Sequence, residues 1–240
     1  MTQPAPHLVV LSGAGISAES GIQTFRASDG LWADYPIEEV ATPEGWARDP
    51  ERVLRFYDAR RDQIRAARPN AAHRALANLE ARGFEVSVIT QNIDDFHERA
   101  GSRRVLHLHG EIMVSRSSVD ARMRYPLGKR NIVIGDVCDQ GSQLRPDVVW
   151  FGEEVPAFAE ACDIVARADL LLVVGTSLAV MPAASLIDEL PLAAACMLVD
   201  PDESLAVPPG VARLALPAGQ GVPALTRQWQ REGRLFVPQH

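Results

Sequence analysis

The stretch His7 to Gly21, "HLVVLSGAGISAESG", decides the reading of the chain. Leu8 to Leu11 form a continuous apolar run without polar alternation, which predicts a strand buried on both faces, as in a parallel sheet. Gly13, Ala14 and Gly15 follow at once, so the chain turns sharply at the strand end and exposes its backbone there. A strand running into such a turn and then a helix start is where a pyrophosphate meets amide hydrogens. The third glycine usual in that pattern is Ala18 here, and the segment continues to Phe25 and Arg26.

Working outward, four more apolar runs end in glycine or polar residues: "FEVSVITQN", "RVLHLHG", "DLLLVVGTS" and "ACMLVD". Most are followed by helical spacing. The stretch "PNAAHRALANLEARG" has Asn70 as cap and Gly83 as stop, and reads as a crossover helix. This alternation predicts an α/β fold: a Rossmann-like, doubly wound parallel sheet with helices on both faces. Two segments interrupt it. "DPERVLRFYDARRDQIRAA" begins with Asp49 as cap and Pro50 at the first helical position, and residues 111–145 are polar, with "NIVI" as their one short apolar run. We therefore expect residues 1–24, 67–110 and 146–240 to form the dinucleotide-binding domain, and 25–66 with 111–145 a smaller inserted module.

Composition bounds the partners. The 240 residues carry 24 basic and 31 acidic side chains, a net charge of −7, so no basic face favours nucleic acid. Cys138, Cys162 and Cys196 are widely spaced, which speaks against a disulfide framework and for a reducing compartment. The opening "MTQPAPH" lacks a signal pattern and no apolar run reaches bilayer length, so a cytoplasmic protein without membrane contact is expected, read here as a monomer.

Three further strand ends carry chemistry. Gly175, Thr176 and Ser177 make a second small, donor-rich edge beside the first. In "TQNIDDFHERAG", Gln91, Asn92 and Asp94 group two amides with a carboxylate; a role for Asn92 and Asp94 as helix caps is the alternative. In "LHLHGE", strand alternation turns His107 and His109 to one face, and Gly110 leaves the His109 ring open to a cleft. His109 reads as a general base and His107 as structural.

Taken together, "GAGISAESGIQTFR", "TQNIDDFHERAG", "LHGE", "LRPDVVWFGE" and "VVGTSLAVMPA" resemble, in order, the motifs of the sirtuins, NAD-dependent protein lysine deacylases. The resemblance spans Gly13 to Ala183. It implies that Gly13, Ala14, Gly15, Ile16 and Ser17 contact the NAD phosphates, and that Phe25 and Arg26 belong to a cofactor loop shielding the ribose carbon once nicotinamide leaves. It also implies that Gln91, Asn92, Ile93 and Asp94 surround the nicotinamide, with His109 as base and Asn92 also catalytic, and that Gly175, Thr176, Ser177 and Asp200 complete the cofactor site. The acyl oxygen of a modified lysine would attack the ribose carbon, after which His109 deprotonates a ribose hydroxyl and the acyl group passes to ADP-ribose.

For the substrate, Val149, Trp150, Phe151 and Gly152 would wall the lysine channel and pair an extended acyl-lysine peptide by strand addition. Tyr57 and Arg60 stand three apart on one helical face, where hydroxyl and guanidinium suit a carboxylate. They match the Tyr-x-x-Arg of sirtuins that favour succinyl, malonyl or glutaryl lysine, and Ala41 matches the small residue that leaves room. Such a pair on a solvated helix is the alternative.

Two departures stand out. Where most sirtuins carry two Cys-x-x-Cys zinc pairs, this chain has Ser117 and Asp120, then Val137 and Gln140, so no zinc is expected. Asp200 replaces the usual asparagine on the adenine-side ribose. The rival readings are a mono-ADP-ribosyltransferase, against which Tyr57 and Arg60 speak, and a silent NAD or ADP-ribose sensor, against which the presence of His109 and Asn92 speaks.

Overall fold

A computed structural model describes residues 5–23 and 35–238. The strands are β1 (His7–Ser12), β2 (Glu85–Thr90), β3 (Val105–His107), β4 (Gly110–Ser117), β5 (Arg124–Pro126), β6 (Leu144–Val148), β7 (Leu170–Val174), β8 (Ala195–Val199) and β9 (Val211–Leu214). The α-helices are α1 (Ile37–Val40), α2 (Pro43–Arg48), α3 (Pro50–Ala66), α4 (Ala71–Ala81), α5 (Phe96–Ala100), α6 (Phe158–Val165) and α7 (Ala218–Glu232), with short 3-10 helices at Ala14–Ser20 and Ala183–Glu189.

Six parallel strands form the main sheet in the order β3-β2-β1-β7-β8-β9. β1 and β7 lie at its centre, fully buried, which is why both are unbroken apolar runs. Alternation along β1 divides the core. Leu8 and Val10 pack with Leu76, Leu79, Val222 and Trp229 on the face covered by α4 and α7. Val9 and Leu11 pack with Ala161, Val165 and Leu186 on the other. From β1 the chain winds to β2 and β3 on one side, and later from β7 to β8 and β9 on the other. The crevice where that direction reverses lies over the carboxyl ends of β1 and β7, where such sheets bind ligands.

Beneath that crevice runs a buried polar chain. Ser12 Oγ donates to Thr90 Oγ1 at 2.9 Å, so the His97 Nε2 lying 3.0 Å from Ser12 Oγ carries the proton between them. Thr90 Oγ1 also accepts the Asn92 amide. His97 packs edge-on against His73, ring centroids 4.9 Å apart, and His73 closes the capping box with Asn70 at the start of α4. Asn70 in turn donates to Ile16 O at 2.6 Å. Burial pushes both imidazoles down, His73 to about 4, so both are neutral near pH 7.

The inserted segments build a second, antiparallel sheet, β5-β4-β6, which the sequence reading did not anticipate. The boundary expected at residue 146 falls inside β6, whose partner is β4. The run "NIVI" is no strand: Ile132 is buried with Leu54, Leu127, Cys138 and Leu144, while Val133 and Ile134 are exposed. Hydrogen-bonded turns hold the segment around Ser117 and Gln143. Ser117 Oγ accepts the amides of Val119 and Asp120, and the Gln143 side chain bonds Gly135 N and Val133 O. Among the described residues no group of three or more His, Cys, Asp or Glu is arranged to hold a metal. Helix α3 fastens the module through Arg61, whose buried Nε donates to Ile112 O at 2.8 Å while its guanidinium pairs with Asp58. Arg65 reaches Asn131 at 2.8 Å and Gly128 O at 3.1 Å.

Arg61→Ala is expected to lower stability by about 3 kcal/mol, since it orphans partners of a buried ion pair, read as a drop in denaturation midpoint. A chelator is expected to leave the wild-type melting temperature where it was. Because the unfolded chain protonates histidine near 6.5 and folded His73 near 4, the unfolded state binds more protons between those values. Stability therefore rises with pH across that window. Asp94, raised by burial to about 6, pulls the opposite way. The comparison that isolates the imidazole is His73→Gln, a capping-competent replacement expected to flatten the rise in urea melts.

Candidate active site

Over the β1/β7 crevice and against the small module lies a cleft of about 580 Å³. Its floor is the meeting of two strand-end loops. A Cβ on Gly15 would fall 2.6 Å from Gly175 Cα, and one on Gly13 2.7 Å from Thr176 Cβ. Their missing side chains thus let the two loops touch, with Gly15 N donating to Gly175 O at 2.8 Å. This refines the expectation that the glycines serve the approach of a ligand alone. Ile16, expected among the cofactor contacts, is turned into the core: its amide donates to Gly13 O and its carbonyl accepts from Asn70.

Gly13, Ala14, Gly15, Ser17, Gln91, Asn92, Ile93, Asp94, His109, Gly175, Thr176, Ser177 and Asp200 all face this one cleft, contributed by the ends of four parallel strands and the turn after β3. Side-chain bonds cross-link them. Ser17 Oγ donates to Asp94 Oδ2 at 3.0 Å and accepts from Asn92 Nδ2 at 3.2 Å. Thr176 Oγ1 accepts from Gln91 Nε2 at 3.1 Å and from Leu178 N at 3.2 Å. With both acceptor positions filled, the Thr176 hydroxyl keeps its proton for a ligand oxygen. Burial raises Asp94 to about 6, although it accepts from Phe96 N and Ser17. Asp94 thus has a minor capping role as well. Phe25 and Arg26 lie outside the described residues.

His109 and His107 both face the loop after β2. His109 Nδ1 lies 3.0 Å from Gln91 O, a carbonyl that only accepts, so Nδ1 carries the proton and Nε2 keeps its lone pair. Burial lowers its pKa, partly offset by that carbonyl, so the ring is a neutral base near pH 7. His107 differs: burial pushes it down, but the Glu98 carboxylate at 2.8 Å and Asn92 O at 3.0 Å raise it above the ordinary value. It braces the Asn92 backbone.

The module side of the cleft is lined by Ala41, Tyr57, Arg60, Val149, Trp150, Phe151 and Gly152. Tyr57 and Arg60 are 3% and 6% exposed, so this face of α3 is not a solvated one. The amides of Val149, Trp150 and Phe151 are spent internally, on His109 O, Glu153 Oε2 and Ala41 O. An extended peptide beside them must therefore pair through carbonyls or through the Gly152 region. Glu153, Val180 to Pro182, and Pro217 with Ala218 at the start of α7 also line the cleft. Glu153 and Val180 to Pro182 fall within the motifs "LRPDVVWFGE" and "VVGTSLAVMPA" but were not singled out, and nothing in the local pattern signalled Pro217 and Ala218, whose neighbours in space lie far away along the chain.

Residues 13–182 match the Sir2 family. An NAD-dependent protein deacylase of Helicobacter pylori (strain ATCC 700392 / 26695) is 56% identical over 180 residues, covering 75% of this chain and 78% of that protein. A solved Sir2 homologue–NAD complex superposes with a TM-score of 0.85 at 42% identity, covering 95% and 90% of the two chains. A Sir2 protein bound to acetylated peptide gives 0.73 at 31% identity, covering 94% and 92%. The chain belongs to the Sir2 family.

Proposed function

We propose that this protein is an NAD-dependent protein-lysine deacylase that removes negatively charged acyl groups, succinyl and malonyl above all, with acetyl as a further substrate. The observation that carries the acyl preference is Arg60, 6% exposed, beside Tyr57 in the same cleft as His109. Burial lowers the Arg60 pKa, with the fields of Tyr57 and Asp94 acting against that effect. Desolvating a guanidinium costs several kcal/mol, and a ligand carboxylate offsets that cost with charge-assisted hydrogen bonds. Ala41 supplies the space.

The cleft fits NAD by its donors and acceptors. Gln91, Asn92 and Asp94 offer the mixed set a carboxamide needs, and the Thr176 and Ser17 hydroxyls lie where two strand-end loops meet. Bound NAD supplies a ribose carbon made electrophilic by departure of neutral nicotinamide. Ser17, Asn92 and Asp94 hold one another and so preorganise that pocket before any ligand enters. Asn92 is fixed from three directions, by Ser17 at its side chain, Thr90 at its amide and His107 at its carbonyl. With NAD bound, His109 would take up at Nε2 the proton of a sugar hydroxyl as that oxygen attacks the acyl carbon, and water would then free the lysine amine and leave the acyl group on ADP-ribose. Trp150 and Val149 flank the lysine stem, and Asp200, 4% exposed, accepts from ribose hydroxyls at the far end.

His109→Ala is expected to abolish turnover while NAD binding by calorimetry persists; a rate within tenfold of wild type would remove His109 as the base. Arg60→Met is expected to cost desuccinylation at least tenfold more than deacetylation, the worth of a charged hydrogen bond. Equal losses on acetyl and succinyl versions of one peptide would reject the charged-acyl reading. Mass spectrometry of the products separates the rivals: O-acyl-ADP-ribose supports the deacylase, an ADP-ribosylated protein the transferase, and no turnover the sensor.

A further inference from the structure

Trp150, which lines the cleft beside Tyr57, is itself held by a layer of side chains behind it. Trp150 is 2% exposed, and its indole Nε1–H donates to Tyr57 Oη at 3.0 Å. The ring is clamped. The Arg145 guanidinium lies over it, its carbon 3.3 Å from the ring centroid. Arg145 grips both oxygens of Glu153 at 2.8 and 2.9 Å and bonds Val148 O at 2.9 Å. Glu153 Oε2 in turn accepts the backbone amide of Trp150 at 2.8 Å, and Arg116 reaches the same carboxylate at 3.1 Å. Trp46 covers the indole from another side, with centroids 5.8 Å apart.

This clamp has a chemical effect on Tyr57. A phenol both accepts and donates hydrogen bonds, whereas an indole N–H only donates. With the indole as donor, the phenol oxygen is the acceptor of that pair, and among the described residues none takes the phenol's own proton. Arg60, one turn along α3, also only donates. Were the oxygen open, Arg60 or a water molecule could donate to it and the cations at this end would be shared between phenol and ligand. With the indole there, the Tyr57 O–H and Arg60 point the same kind of group, a donor, into the cleft.

We propose that Trp150 is a specificity-determining residue, its indole N–H committing the Tyr57 hydroxyl to donate toward a carboxylate-terminated acyl chain, with Arg145 and Glu153 as the residues that position it. The inference rests on the charged-acyl reading above. It adds that selectivity is set by a donor outside the Tyr57 and Arg60 pair.

The test measures kcat and KM on one peptide carrying acetyl-lysine or succinyl-lysine, for wild type, Trp150→Phe, Tyr57→Phe and the double variant. Phenylalanine keeps a ring against Arg145 and removes the N–H. The succinyl-to-acetyl ratio of kcat/KM is expected to fall about tenfold in Trp150→Phe, mainly through KM for the succinyl peptide. In the Tyr57→Phe background the same change is expected to cost no further selectivity, since the phenol it acts through is gone. A ratio unaltered in Trp150→Phe, or additive losses in the double variant, overturns the assignment. Arg60→Met run alongside tells the two readings apart: if it collapses the ratio and Trp150→Phe does not, the indole role alone falls. If wild type shows no preference for succinyl and Arg60→Met changes nothing, both fall. Should Trp150→Phe fail to melt cooperatively, Arg145→Lys carries the comparison, because it keeps charge opposite Glu153 but removes the guanidinium that lies over the indole. The same succinyl-directed rise in KM is expected there, and equal losses on both peptides count against the proposal.

Discussion

The contact between the loops after β1 and β7 is the constraint from which the rest of the site follows. At Gly15 and Gly175 the two backbones approach more closely than any Cβ permits, and Gly15 N donates across the gap. Gly175 also has φ +63°, a left-handed conformation that any other residue type adopts at a cost. Because these strand ends touch, the residues just beyond them converge: Ser17 from one side, Thr176 from the other, Gln91 to Asp94 from β2 next door. Separating the loops by one methyl group would spread donors that now sit within 3.2 Å of one another.

Convergence is then stabilised by a polar lattice that excludes alternatives. The chain from His97 through Ser12 and Thr90 to the Asn92 amide is buried under the cleft, and each hydroxyl in it has its direction set by its neighbours. Buried networks of this sort specify one arrangement because any other leaves a group unsatisfied in a medium that penalises it. The same dryness raises Asp94 and lowers His109, so the site holds a weakened acid and a neutral base near pH 7. His107, one strand alternation away, is pushed the other way by Glu98. Two histidines of one motif thus shift in opposite directions, chiefly through a single carboxylate.

The parallel sheet was legible because its central strands are buried on both faces and so are written as unbroken apolar runs, and because Asn70 and Gly83 mark the ends of α4 at the expected places. The candidate residues of the sheet side stood out because they lie just beyond strand ends, where the local pattern changes, whereas Tyr57 and Arg60 showed only as a pair three apart within α3. The antiparallel sheet was not. β5 is three residues long with two exposed, and β4 alternates burial with polar residues such as Ser115 and Arg116, whose partners Tyr125 and Glu153 are distant in sequence. Ile16 shows what spacing alone does not reveal: it stands inside a phosphate-loop motif, yet a 3-10 turn directs its side chain into the core.

The two walls of the cleft are therefore built on different physics. The sheet wall is apolar packing beneath a thin polar lattice. The module wall is held by guanidinium groups, with Arg61 on Ile112 O and Asp58, Arg145 and Arg116 on Glu153, and Arg124 on Asp147 and Glu111. Arginine suits that task because its planar fork satisfies carbonyl and carboxylate together. Where such a pair is largely buried, as between Arg145 and Glu153, losing one partner leaves the other unpaired, so that part of the wall is rigid only while both are present. That wall carries Tyr57, Arg60 and Trp150, so the module side of the cleft is held by the most interdependent part of the molecule, whereas Ser17, Asn92, Asp94 and Thr176 on the other side rest on the sheet.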